Sequence, residues 1–276
     1  MGILRIECPD EKGLIHKVTA VLYKKGLNIV RNDEFVDPAG RRFFMRTEFS
    51  GSAPGGGLLK ALKAVLPSSA EVELVPDRRK TLVIFATREH HCLGELLLRN
   101  AYGELGAEVL GIISNHAHLK GLAARFDVPY RHVPHAAASR RSHEAEILRV
   151  LGRWKPDYLV LAKYMRILSS DFTARYENRI INIHHSFLPA FVGANPYQQA
   201  HERGVKIIGA TAHFVNEELD KGPIIAQGLV PVDHSHSAAD MAQAGRDVEK
   251  IVLAKALELA FEDRIFVSGN KTVIFD

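Results

Sequence analysis

The sequence has almost no cysteine: Cys8 and Cys92 stand far apart among 276 residues, outside any CxxC pair. That excludes a disulfide framework and a cysteine-based zinc site, and sets the expectation of a reducing, cytoplasmic compartment. No apolar run approaches the roughly 18 residues that a membrane span needs. The opening MGILRIECPDEKG places Glu7 and Asp10 where a leader would be apolar, so neither a signal peptide nor a membrane partner is expected. Charge of one sign is also lacking. Thirty-six Lys and Arg against 32 Asp and Glu leave +4, with no basic block, so no nucleic-acid partner is expected. The small excess suits a mildly basic cleft for an anionic small molecule. A GxSxG elbow and a framed cysteine are both missing, which removes the common serine and cysteine nucleophiles.

What is present divides near residue 80. Hydrophobic residues make up 46% of the chain, ample for one large or two modest cores. ILRIEC reads as a strand. GLIHKVTAVLYKKG follows, with Leu14, Val18, Val21 and Leu22 at helical spacing and Gly26 as a stop. NIVRNDEFVD and RRFFMRTEFS read as strands joined by the turn DPAG. SGSAPGGG is a loop, with no Lys at phosphate-loop spacing. LLKALKAVL is helical and AEVELVP a strand. The order βαββαβ predicts an antiparallel sheet with two helices on one face over residues 1–76. PDRRK supplies a linker at 77–80. Over 81–276 the apolar strands TLVIFAT, EVLGIIS, YLVLAKY and IINIHH alternate with helices HCLGELLLRNAYGEL, LKGLAARF, HEAEILRVLGRW and SSDFTARYE. That rhythm predicts an α/β, doubly wound, mostly parallel sheet. A long helix from about Ala238 to Glu262 and a hairpin, RIFVSGNKTVIFD, close the chain.

In such a sheet ligands bind beyond the carboxyl ends of the strands. There the segment NIHHSFLPAF, residues 182–191, puts polar groups that a sheet core does not want. Asn182 and His184 lie two apart and point to one side, with His185 expected to face the other way; Ser186 and Pro189 stop the strand. Downstream, GATAHFVNEELDKGPIIAQ frames Asp220 with Lys221 and Gly222. Taken singly, Asn182 and His184 cap a strand end and Asp220 is an ordinary turn residue. Taken together, the Asn amide can donate to a developing oxyanion, and the His and Asp can move protons and orient a water. Direct attack by water, or by a substrate amine, is then the simplest chemistry. Fourteen histidines, with HH at 90–91 and 184–185, HAH at 116–118 and HSH at 234–236, keep a metal-dependent amide hydrolase open as an alternative. No HExxH occurs and no carboxylate follows HAH at ligand spacing, so no metal is expected.

These two segments, with LAKYMRIL at 161–168 and GIISNH at 111–116, resemble the formyltransferase-fold family that uses 10-formyltetrahydrofolate. The resemblance covers about residues 80 to 276. It implies a Rossmann-like domain with Asn182, His184 and Asp220 as the catalytic set. It also implies a folate substrate among Asn115, Met165, Arg166, Ile167, Leu168 and Glu218, the pterin lying against backbone near Met165 to Leu168. CPDEKGLIHKVTAVLYKKGLNI resembles the ferredoxin-like ACT domain. That implies a small amino-acid effector held by Asp10, Gly13, Leu14 and Asn28, and edge-to-edge pairing into a homo-oligomer, dimer or tetramer.

Two departures narrow the branch. The turn after the first strand of the second domain reads ATREHHCLGELLLR, without the glycine-rich phosphate cradle of the glycinamide-ribonucleotide transformylases. Only the short closing hairpin follows the long helix in this sequence, so the RNA-binding domain of the methionyl-tRNA formyltransferases is not expected. With no acceptor site evident, water becomes the acceptor. The HCLGELLLR variant and the ACT domain together resemble the formyltetrahydrofolate deformylases. That implies hydrolysis of 10-formyltetrahydrofolate to formate and tetrahydrofolate, in one-carbon and purine metabolism, with no cofactor beside the substrate. Formyl transfer to a small amine, and an amino-acid sensor that has lost catalysis, stay open beside it.

Overall fold

The computed structural model describes residues 1–52, 55–135, 139–188 and 196–276. Pro54 of the expected loop, Pro189 at the expected strand stop and residues 193–195 lie outside the described residues. The chain forms two compact units. One holds Met1–Arg78 with Asp263–Phe266 and Val273–Asp276; the other holds Arg79–Glu262 with Val267–Thr272. The division thus falls at PDRRK, but parts of the last hairpin belong with the first unit, where the sequence pattern places all of 81–276 in the second. The reason is packing at long range. Phe266 meets the Phe44 ring edge-on at 5.7 Å, and the Arg5 guanidinium lies 4.4 Å over the Phe266 ring.

The first unit runs β1 (Gly2–Pro9), α1 (Leu14–Lys24), β2 (Asn28–Asp37), β3 (Arg42–Ser50), α2 (Gly55–Lys63) and β4 (Glu71–Val75). Its strands pair antiparallel in the order β2-β3-β1-β4. Leu14, Val18, Val21 and Leu22 of α1 are buried with Leu4, Ile6 and Cys8 of β1 and Leu58 and Leu62 of α2. The helical period of α1 therefore meets one side of the period-2 pattern of β1. Burial pushes the Cys8 thiol up to about 11, so it behaves as a small apolar residue.

The second unit runs β5 (Lys80–Ala86), α3 (His91–Ala101), β6 (Ala107–Ser114), α4 (Lys120–Ala124), β7 (Tyr130–His132) and α5 (Arg140–Trp154). It continues with β8 (Tyr158–Ala162), α6 (Ser170–Ala174), β9 (Ile180–His184), α7 (Pro196–Glu202), β10 (Ile207–Phe214), β11 (Ile224–Pro231) and α8 (Ala238–Phe261). The hairpin strands β12 (Ile265–Ser268) and β13 (Lys271–Ile274) end the chain. The seven-stranded sheet has the order β11-β10-β9-β8-β5-β6-β7. Strands β5 to β9 pair parallel, and β10 and β11 extend the sheet antiparallel. Val83 and Phe85 of β5 pack with Ile147, Leu151 and Phe172, while Leu82 and Ile84 are wholly buried on the opposite side. Strand β5 is flanked by β6 on one side and β8 on the other, so the strand order reverses there and opens a crevice at the carboxyl ends. Ser237 and Asp240 form a reciprocal capping box that starts α8. Among the described residues no helix is long and apolar enough to cross a membrane.

Candidate active site

Asn182 and His184 end β9, and the antiparallel neighbour β10 sets His213 opposite Asn182 and Thr211 opposite His184. Opposed residues share a face, so the His213 ring meets the Asn182 amide, Nε2 to Nδ2 at 3.2 Å. The other ring nitrogen, Nδ1, donates to the Phe214 carbonyl at 2.8 Å. Burial lowers the His213 pKa, outweighing the Phe214 hydrogen bond and the Asp220 charge, and favours the neutral ring. In that tautomer Nε2 accepts from Asn182 and fixes which end of the amide is nitrogen. The sequence alone does not single out His213. The signal is the alternation of Thr211 and His213, informative once β10 is known to pair with β9.

Asp220 reaches the same place from the loop between β10 and β11. Its Oδ2 is 3.4 Å from His184 Nδ1, and its Oδ1 is 3.7 Å from His213 Nε2. Asp220 takes φ 55, a left-handed conformation that Asp tolerates better than most residues. Gly222 allows the loop to fold so tightly: a Cβ there would lie 1.8 Å from the Phe214 carbonyl oxygen. Burial pushes the Asp220 carboxyl up, but the hydrogen bond and charge of His184 outweigh it and the net shift is down. The carboxylate is therefore ionised at neutral pH.

His184 Nε2 is buried and finds no partner among the described residues. An orphaned nitrogen in a polar cleft marks a place that a substrate oxygen or a water can complete. His185 departs from expectation. Strand alternation stops at His184, so His185 does not face away; its ring stacks on that of His184, with centroids 5.0 Å apart and planes at 23°. Burial first, then the Lys163 and His184 charges, lowers its pKa to about 4, so it is neutral. Thr211 holds the bend, donating to the Ser186 carbonyl at 3.0 Å and accepting from the Leu188 N–H at 3.1 Å.

A cavity of about 320 Å³ opens here, lined by Asn182, His184 and Asp220, by Met165, Arg166, Ile167 and Leu168, and by Glu218. The Met165 N–H donates to Thr87 Oγ1 at 3.1 Å, tying this loop to the end of β5. Asn115 is not among the lining residues; its amide nitrogen lies 3.4 Å from His135 Nδ1. In the first unit Gly13 takes φ 88 to start α1, and Leu14, the first residue of that helix, is buried. Asp10 and Asn28 are exposed. The first turn of α1 has no side-chain cap, which leaves its N–H groups open to an anion.

Among the described residues, one trio brings donor atoms close enough to share a metal: His91, Cys92 and Glu249. Its chemistry fits a metal poorly. Burial, with the Glu249 charge, raises the Cys92 thiol far above its usual range and opposes the thiolate. Glu249 already accepts from His91 Nε2 at 2.7 Å and Tyr197 Oη at 3.0 Å, and pairs with Lys163 Nζ at 3.3 Å.

A mostly parallel sheet with Asn and His at the end of one strand and an Asp brought to them by a loop, on one chain with an antiparallel βαββαβ unit, defines an enzyme of the formyl transferase fold joined to an ACT domain. Residues 80–257 match the formyl transferase family and residues 2–67 the ACT domain family. The chain is 54% identical over 272 residues to a formyltetrahydrofolate deformylase of Haemophilus influenzae, covering 99% of this chain and 98% of that one. The crystal structure of a formyltetrahydrofolate deformylase from Pseudomonas syringae pv. tomato is 41% identical and superposes with a TM-score of 0.95, covering 100% and 94% of the two chains. A glycinamide ribonucleotide transformylase from Symbiobacterium toebii is similar over 73% of this chain and 96% of its own, with 31% identity and a TM-score of 0.69. The chain belongs to the formyltetrahydrofolate deformylase family.

Proposed function

We propose that Asn182, His184 and Asp220 carry out the hydrolysis of 10-formyltetrahydrofolate to formate and tetrahydrofolate. The pterin occupies the 320 Å³ cavity against the backbone of Met165 to Leu168. The formyl oxygen points at Asn182. Asp220, with His184, takes a proton from a water that attacks the formyl carbon. Asn182 and a protonated His184 hold the oxyanion of the tetrahedral intermediate. Its collapse breaks the C–N10 bond, and the same His–Asp pair returns a proton to N10. The observation that carries this reading is the convergence of Asn182 and His184, from the end of β9, with Asp220, from the β10–β11 loop, at one cavity, His184 Nδ1 lying 3.4 Å from Asp220. Incubation with 10-formyltetrahydrofolate and no added acceptor tests it: equal amounts of formate and tetrahydrofolate are expected. We place the reaction in one-carbon and purine metabolism.

The proposed chemistry uses no metal and no cofactor. EDTA or a tight zinc chelator is therefore expected to leave the rate unchanged; loss of turnover that added zinc restores would reject this reading.

The first unit offers an effector site at Asp10, Gly13, Leu14 and Asn28, with an amino-acid carboxylate at the α1 N-terminus. It also bears on assembly. Strand β2 is an edge of the sheet, and Val30, Phe35 and Val36 on it are exposed. An apolar open edge invites pairing, so the protein is expected to be a homo-oligomer. Light scattering at micromolar concentration should give at least twice the mass of one chain; a clean monomer would contradict this.

A further inference from the structure

Lys163 has no role in the chemistry above, yet it is buried, charged and conformationally unusual. It follows β8 directly and is 5% exposed. Its φ is +61, in the left-handed region that a side chain with a Cβ rarely adopts. Its ammonium lies 3.3 Å and 3.4 Å from the two carboxylate oxygens of Glu249 on α8. Glu249 is 1% exposed and is itself held by His91 and Tyr197. Gly245, one turn earlier on α8, leaves space for that tyrosine: a Cβ there would lie 2.0 Å from Tyr197 Oη. Burial raises the Glu249 carboxyl, but the His91 hydrogen bond and the Lys163 charge outweigh it and keep it ionised.

Burying two charges costs desolvation that their attraction barely returns, so such a pair is poor as mere glue and suits the fixing of a geometry. Lys163 itself lines the cavity together with the residues that follow it, Tyr164, Met165, Arg166, Ile167 and Leu168. The wall is a tight turn, with the Arg166 N–H donating to the Tyr164 carbonyl at 2.8 Å.

We propose that Lys163 is a positioning residue for folate binding: its ion pair with Glu249 holds a strained backbone that presents residues 164–168 to the pterin. This rests on reading the 320 Å³ cavity as the folate site. Backbone contacts of this kind serve ground state and transition state alike, so their loss appears in KM and not in kcat.

Glycine adopts the left-handed conformation without penalty, which supplies the decisive comparison. Glu249→Gln and Lys163→Met are each expected to raise KM for 10-formyltetrahydrofolate about tenfold, the scale of one strained residue, with kcat within about threefold. Lys163→Gly should keep KM within about threefold of wild type. The double variant Lys163→Gly/Glu249→Gln should recover to the same level, while Lys163→Met/Glu249→Gln stays about tenfold impaired. Rescue by glycine and not by methionine separates a backbone role from simple removal of an unpaired buried charge. The proposal is overturned if the glycine variants are as impaired as the methionine ones, or if the loss lies in kcat. If Glu249→Gln does not fold, the comparison of Lys163→Gly with Lys163→Met decides alone. A wild-type protein that does not turn over the substrate would overturn the reading of the site itself, and this inference with it.

Discussion

Asn182→Ala is expected to lower kcat by about 100- to 1000-fold, the cost of one donor to a developing oxyanion in acyl transfer. Two features make the amide effective. It is held at the end of β9, and its nitrogen is fixed at 3.2 Å from the buried His213 Nε2. His213 in turn is locked by its own bond to the Phe214 carbonyl at 2.8 Å. The donor is thus oriented before the substrate arrives, and no reorganisation is needed as charge grows on the formyl oxygen. Binding should survive, because in the proposed reading the pterin is held by the backbone of Met165 to Leu168 and not by Asn182. If Asn182 merely caps its strand, the alanine variant will retain turnover within a few-fold. Formate release by purified, folded variant distinguishes the two. A His213→Ala variant gives a further check. It frees the Asn182 amide to rotate and leaves the reacting groups in place, so its loss should be smaller than that of Asn182→Ala.

Asn182, His184 and Asp220, the proposed catalytic set, stand out in the sequence because each breaks a local rule. Two are polar groups at the end of an apolar strand, and the third is an acid in a loop pinched by glycine. The strand and helix periods along β5, β6, β8, β9 and α5 are equally plain, since each buried face repeats within a few residues. What stays hidden depends on pairing across the sheet or on helices far along the chain. His213 reads as an ordinary strand residue until its partner is known to be Asn182. His185 violates alternation because the strand has already ended. Lys163 reads as part of the apolar strand YLVLAKY, and Glu249 as one acid within a long helix. They become a buried pair only when α8 packs on the sheet, at a separation no sequence window spans. The three residues of β7 are too few to show a period. Asn115 is the reverse case: the family resemblance marks it, but the structure sets its amide against His135 and not in the cavity wall.

Asp220→Asn is expected to lower kcat by about 100-fold or more, in the range of a lost general base, with KM nearly unchanged. The substitution removes charge and little else. Asn is at least as comfortable as Asp at φ 55, so the loop pinned by Gly222 keeps its course. The side chain can still hydrogen-bond His184 across the 3.4 Å gap. What it cannot do is accept the proton of the attacking water or stabilise a cationic His184. If Asp220 is only a turn residue, Asn serves as well and the rate stays within a few-fold. The pH profile sharpens the test. Because His184 holds the folded-state pKa of Asp220 below its usual 3.8, the carboxylate stays ionised as pH falls through the ordinary carboxylate range. The Asp220 carboxylate is therefore protonated only below that range, and no acid limb near pH 4 to 5 should trace to it. The same sign governs stability: the contribution of the ionised group is present above the unfolded pKa and disappears as pH drops through the lower folded value. Asp220→Asn should lack that contribution at neutral pH and lose less stability than wild type on acidification, which thermal melting across pH 3 to 7 would measure. A folded variant that binds folate and still releases formate at near wild-type speed would remove Asp220 from the mechanism.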